Sequence, residues 1–323
     1  MKKNAIKVLC FVVAVLVIGI SSVYIYFTWD VGEFDVIDGS ERGTVIITNY
    51  KGSSKEIIIP KRLRGKKVIS IDDTAFKGQD ITSVVIGDNI KSIGNNVFQN
   101  CEKLRSVDMG TALESIGDMS FAGCTSLESV KFSPVLKDMG HMTFGNIETD
   151  VKLDINGNQN FAVDNGVIYS SDYKIVYESL ISADLSSYKL PETVIELRPY
   201  AFYSQAEMGN IALNDGITTI PEGCFISCEG MTELVIPDSV TSIATVVLAG
   251  SNIEKITIPA SVQKIDQYAF IKDGSEVNLG NKTDEEDAEE NSEKSITIVT
   301  TNGSFASTFA RRNNFKLEIT DVK

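Results

Sequence analysis

Histidine is almost missing from this chain: His141 is the only one among 323 residues. A Ser-His-Asp or Cys-His centre would have to be built on it. It sits between Met139 and Phe144, in a turn whose pattern recurs along the chain without histidine. There is also no G-x-S-x-G, H-E-x-x-H, C-x-x-C, Walker or G-x-G-x-x-G motif. The run from Asp154 to Asn158 opens like an EF-hand loop, but Gln159 stands where glycine is required and Asn165 where the bidentate glutamate belongs. Asp72 and Asp73 are sequence neighbours with no sign of acid/base pairing. The expectation is no enzyme, no catalytic residue, no cofactor and no metal ligand set. Only the acidic run at residues 284–293 leaves room for a loosely held calcium ion.

Positive charge is the second shortage. Lys and Arg number 30 against 44 acidic residues, a net charge of −14. So acidic a chain repels phosphate backbones and anionic lipid, so nucleic acid is excluded as a partner. Cysteines are few, five in all. Cys101, Cys124 and Cys228 each come three residues after a recurring phenylalanine, and Cys224 comes one before. That register explains them as small buried side chains. The spacing of roughly 5 Å expected between Cys101 and Cys124 on neighbouring strands does not forbid a disulfide.

What the chain has in abundance is one spacing. An aliphatic residue is followed three positions later by Ile, Leu or Met, and five positions after that by an aromatic. It reads Val68/Ile71/Phe76, Ile90/Ile93/Phe98, Leu113/Ile116/Phe121, Leu136/Met139/Phe144, Val194/Leu197/Phe202, Ile217/Ile220/Phe225, Val240/Ile243/Leu248 and Val262/Ile265/Phe270. The last members lie 22, 23, 23, 58, 23, 23 and 22 residues apart. A fixed period in the twenties marks a solenoid, whose units cannot bury their apolar edge alone and so stack.

A second apolar triplet falls between these motifs, as in Ile81/Val84/Ile86, Leu104/Val107/Met109, Leu127/Val130/Phe132 and Met231/Leu234/Ile236. Its last two members alternate, as on one side of a short strand. Pro60, Pro191, Pro237 and Pro259 close such strands. Each rung therefore reads as a strand, a turn, a second apolar segment and a helical or irregular turn carrying the phenylalanine. The expected class is an α/β repeat solenoid with 22–23-residue rungs and a parallel sheet on one face. The phenylalanines form an internal column in which Leu248 is the weak point.

The expected organisation is a cytoplasmic tail at 1–7, a transmembrane signal-anchor helix at 8–28, an N-terminal cap at 29–67, the solenoid at 68–299 and a C-terminal cap at 300–323. Two insertions interrupt the solenoid. One, at about 150–190, is β-rich around Asn165-Gly166. The other, at 279–294, is an exposed acidic loop. Residues 8–28 carry no charge, long enough to span a bilayer as a helix. Lys2, Lys3 and Lys7 before them, and Asp30, Glu33 and Asp35 after them, place the repeats outside the cell. Tyr24, Tyr26, Phe27 and Trp29 crowd the exit side. The alternative is a cleaved signal peptide and a secreted product.

These residues resemble the BspA-like leucine-rich repeat family. The carriers are Met231-Thr-Glu-Leu234-Val-Ile236-Pro237-Asp-Ser-Val240-Thr-Ser-Ile243 and Ile93-Gly94-Asn-Asn-Val97-Phe98-Gln-Asn-Cys101-Glu-Lys-Leu104. Asp164-Asn165-Gly166-Val167-Ile168-Tyr169 and Gly303-Ser304-Phe305-Ala306 add to the likeness, which covers roughly residues 40–320. The resemblance implies a non-enzymatic surface protein acting in adhesion or protein binding, with an extracellular or cell-surface protein as partner. A structural or self-assembling envelope protein is the alternative.

The outward strand positions are the candidate binding face. Arg105 and Asp108 on one rung should lie beside Glu128 and Lys131 on the next, and Glu233 beside Lys255. Cross-rung pairing of these charges is the plain structural reading, worth roughly 0.2–1 kcal/mol each. Recognition of a protein on a solenoid face is the functional one.

Overall fold

In most rungs both apolar motifs become strands, each pairing with its own kind on neighbouring rungs, while the triplet around Ile211 gives only a single bridge, Ala212 to Val235. A computed structural model describes residues 32–271 and 296–320. Three-residue strands form one parallel ladder: Glu56–Ile58, Ser83–Val85, Ser106–Asp108, Ser129–Lys131 and Lys152–Asp154. Two-residue strands form a second, through Ser92–Ile93, Ser115–Ile116 and Asp138–Met139. The second ladder starts on the longer strands Thr44–Tyr50 and Lys66–Ile71. Phe34–Asp38 folds back antiparallel on Thr44–Tyr50. The single expected sheet face is thus corrected to two, because the shorter motif also repeats at full register. The centre of each triplet, such as Val84, Val107 or Val130, is buried, and so are Ile93, Ile116 and Met139.

The third side of the rung carries the phenylalanine and corrects the expected α/β class. It is a pair of tight turns, with left-handed residues two before and two after the aromatic position. Asn96 and Asn100 flank Phe98, Met119 and Gly123 flank Phe121, and Tyr200 and Ser204 flank Phe202. A left-handed residue every four positions forbids an α-helix. The amides freed in this way bond to the next rung instead: Asn96, Phe98 and Asn100 donate to the carbonyls of Asp118, Ser120 and Ala122 at 2.8 Å each. Among the described residues the only α-helix is Phe305–Arg312, N-capped by Ser304, whose hydroxyl accepts from the Ser307 amide at 3.0 Å.

Phe98, Phe121, Phe202 and Phe225 are wholly buried. Tyr50, Phe76, Phe98, Phe121 and Phe144 stack with centroids 5.0–5.8 Å apart. Phe202 and Phe225 stack again at 5.8 Å, and Leu248 continues their line, also fully buried. The expected single column is therefore two. Between them the strands Phe161–Asp164, Val167–Ser170 and Ile175–Ser179 form an antiparallel insert. The last of these doubles as a rung strand, pairing in parallel with Glu196–Leu197. The core follows suit: one apolar cluster fills the rungs before the insert and another the rungs after it.

The expected cytoplasmic tail and transmembrane helix at 8–28, the acidic loop at 279–294 and the last three residues of the expected C-terminal cap lie outside the described residues. Among the described residues no helix is long and apolar enough to cross a membrane.

Candidate protein-binding face

In a parallel ladder, residues at equal positions stand side by side, and the outward ones form columns. The first triplet ladder carries two. Glu56, Ser83, Ser106, Ser129 and Lys152 form one; Ile58, Val85, Asp108, Lys131 and Asp154 form the other. The strands from Ser83 to Asp154 line an open groove of about 440 Å³. Ile58 and Val85 are exposed beside it, so its early rungs are apolar and its later rungs charged.

Arg105 reaches Glu128 at 2.8 Å and Lys131 reaches Asp108 at 3.0 Å, with Asp108 half-buried and the other three side chains exposed. Pairs this exposed contribute no more than about 1 kcal/mol each. At the head of the same strands Asp80 lies between Lys103 and Lys55, and the two ammonium groups hold its carboxyl down to about 2. Most of the charge on this face is thus internally matched.

Glu233 and Lys255 stand elsewhere. They are in register on a second triplet ladder, made of Glu233–Val235, Lys255–Thr257, Thr297–Thr301 and Lys316–Thr320. Lys255 bonds Glu318 at 3.4 Å, two strands on. The six proposed residues do not share one sheet, because the first ladder ends at Lys152–Asp154 and the insert follows. Val235 is the most exposed aliphatic side chain of the second ladder.

The family model described as a BspA type leucine-rich repeat region matches in six copies, over residues 49–174 and 163–275. The chain belongs to this family. Its fold is similar to that of the pneumococcal vaccine antigen PcpA, with a TM-score of 0.58 at 15% identity over 90% of this chain and 97% of that one. A leucine-rich repeat protein from Bacteroides ovatus aligns at 18% identity over 90% of this chain and 67% of that one, TM-score 0.46. The T. pallidum leucine-rich repeat protein aligns at 21% over 68% and 87%, TM-score 0.41. No curated protein sequence matches the chain.

The repeat explains features that register alone left unassigned. The Cys101, Cys124 and Cys228 thiols donate to the carbonyls of Phe76, Phe98 and Phe202 on the rung before, at 3.1, 3.2 and 3.0 Å. Burial pushes the Cys101 thiol up to about 11 and that of Cys228 to about 12. All four described cysteines are free and buried. His141 is held at the rung corner, Nδ1 3.4 Å from Asp118 and Nε2 3.5 Å from the Arg198 guanidinium. Sequence reasoning missed the groove's Ser83, Ser106 and Ser129 column. Its signal was there, a serine at the same place in three successive triplets.

Proposed function

We propose that this chain is a membrane-tethered, surface-exposed repeat protein whose first triplet ladder binds an extracellular or cell-surface protein. The observation that supports it is the groove on that ladder. It is an open surface in which Lys131 pairs with Asp108, with Arg105 and Glu128 paired at the strand heads, and whose early rung presents Val85. Such a surface offers shape and a few well-packed contacts more than a long-range field. Membership of a repeat family built for stacking and not for a catalytic pocket agrees with a binding role and not an enzymatic one. The uncharged stretch at residues 8–28 supports the tether.

Capture of partners from extracellular extracts by the immobilised chain tests the binding role. Reversal of Arg105 and Lys131 together is expected to cut capture, with only a modest response to salt. Unchanged capture would remove this ladder as the binding surface. Membrane fractionation with external protease tests the tether: a soluble mature chain beginning near Ser22 would establish secretion instead. A self-assembling envelope protein is the second reading. It is favoured by the strand Lys316–Thr320, which among the described residues pairs on one edge only and exposes Ile319. Concentration-dependent self-association without ligand would select it.

A further inference from the structure

In the regular turns, three amides tie each rung to the next. At Phe144 the tie changes. There the Phe144 amide reaches a side chain on the following rung, both carboxyl oxygens of Glu178 at 3.0 and 3.2 Å, and the Thr143 amide bonds the same carboxyl. Elsewhere the acceptor is the backbone carbonyl of the residue just before the next aromatic position: Val97, Ser120, Thr143, Cys224. Glu178 holds that same place on the inserted rung. Its neighbour Ser179 donates to the Ala201 carbonyl at 2.8 Å, as an aromatic-position residue does. On the inserted rung the Glu178 carboxyl thus takes the acceptor role that a backbone carbonyl holds elsewhere.

This is also where the core divides. The strand Val167–Ser170 sends Ile168 to the first apolar cluster and Val167 and Tyr169 to the second. Glu178 is opposite Ile168 in register and is itself buried.

We propose that this seam is a pH-gated joint: neutral Glu178 closes the two blocks of the solenoid on each other, and its ionisation opens the seam at the Phe144 turn. Burial pushes the carboxyl up to about 8, against the opposing pull of the Phe144 and Thr143 amides. No charged side chain takes part in that balance. The charged and titratable groups on the surrounding elements are engaged with each other. On the rung before, His141 faces Asp118. On the rung after, Arg198 lies over the Tyr177 ring and against His141, and Tyr200 donates to Glu222. Asp138 is exposed on the outer face of its strand.

The sign is set by the raised value. Between 4.5, the ordinary value, and about 8 the folded chain holds this proton more tightly than the unfolded chain does. The contribution of Glu178 to stability is therefore whole below 4.5, declines as pH rises and is gone above about 8. Above that point the charge is in the core with no cation to meet it. The least costly relief is to let water into the seam, where a side-chain acceptor stands in for the backbone ties of the regular turns.

Hydrogen exchange of the full chain between pH 6 and 9 tests this, with rates corrected for intrinsic exchange. Protection of the Phe144 amide is expected to fall about tenfold between pH 7 and pH 9, while Phe98 and Phe121 hold steady. Glu178→Gln keeps an acceptor oxygen and removes the proton, so its protection should not vary with pH. His141→Gln should behave as the unaltered chain. A flat profile in the unaltered chain, an equal fall in Glu178→Gln, or loss of the fall in His141→Gln would overturn the proposal. If Glu178→Gln does not fold, carboxyl-labelled glutamate in the unaltered chain decides: one carboxyl titrating near pH 8 supports the joint, and none titrating above pH 6 overturns it.

Discussion

The rungs before the insert and those after it solve the same packing problem with different side chains. In the first block, Asp72 follows the inward Ile71, but Gly94, Gly117 and Gly140 follow Ile93, Ile116 and Met139. The rungs come so close there that a Cβ on Gly117 would lie 2.6 Å from the Gly94 carbonyl carbon. A side-chain ladder runs beside them: Asp73 accepts from the Asn95 amide at 2.7 Å, Asn95 from Asp118 and Asp118 from His141, both at 2.8 Å. In the second block the same place is taken by Arg198, Pro221, Ala244 and Asp266. The aromatic stack also gives way to Leu248. The period of the chain is common to both blocks, so register is what the fold demands. The closeness of the rungs is adjustable.

The largest effect that would sharpen this contrast is in the aromatic stack. Phe121→Ala, between two stacked rings, should cost about 3–5 kcal/mol in urea unfolding. Leu248→Phe should not repair the second block: Leu248 is already fully buried, and the larger ring should cost about 1–3 kcal/mol by overpacking. A gain in stability there would mean the second stack holds a void.

Smaller changes probe the corner glycines. Gly117→Ala should cost about 1–3 kcal/mol, because the new methyl meets backbone that cannot swing aside. Ala244→Gly, its counterpart, should cost only about 0.5–1 kcal/mol through added freedom of the unfolded chain. Equal losses at the two sites, read from thermal and urea unfolding, would erase the difference between the blocks.

The smallest effect belongs to the outward charges. Reversing Arg105 and Lys131 together should leave stability within about 1 kcal/mol, since both side chains and their partners are largely in water. A loss beyond 2 kcal/mol would mean the first ladder depends on its surface pairs, unlike the second, where Lys255 reaches past its register neighbour to Glu318.

Much of this was legible in the residues. Eight repeats of one spacing give the rung length, the inward residues and the buried phenylalanines, because a solenoid repeats its physical problem as well as its pattern. The cross-rung pairs Arg105–Glu128 and Asp108–Lys131 followed from strand register alone. On the turn side, apolar spacing fits a helical and an irregular turn alike. Only the backbone at Asn96 and Asn100 separates them. Glu233 and Lys255 are register neighbours as expected, but the long Lys255 side chain passes over Thr297 to Glu318. Glu178 gave no sequence signal, since a lone glutamate near an insertion looks like any solvated carboxylate.

The turn side of the rung has one more consequence. Its alternate amides donate to the following rung, so each needs an acceptor there. At the end of the first block that acceptor is the Glu178 carboxyl. In the last described turn of the second, the Tyr268 amide donates to the carboxyl of Asp266, 2.9 Å away. In both places one side chain supplies what the backbone supplies elsewhere. A backbone acceptor survives any substitution, whereas a side-chain acceptor is lost with its residue. These two turns are therefore the points where a single replacement can unfasten the stack.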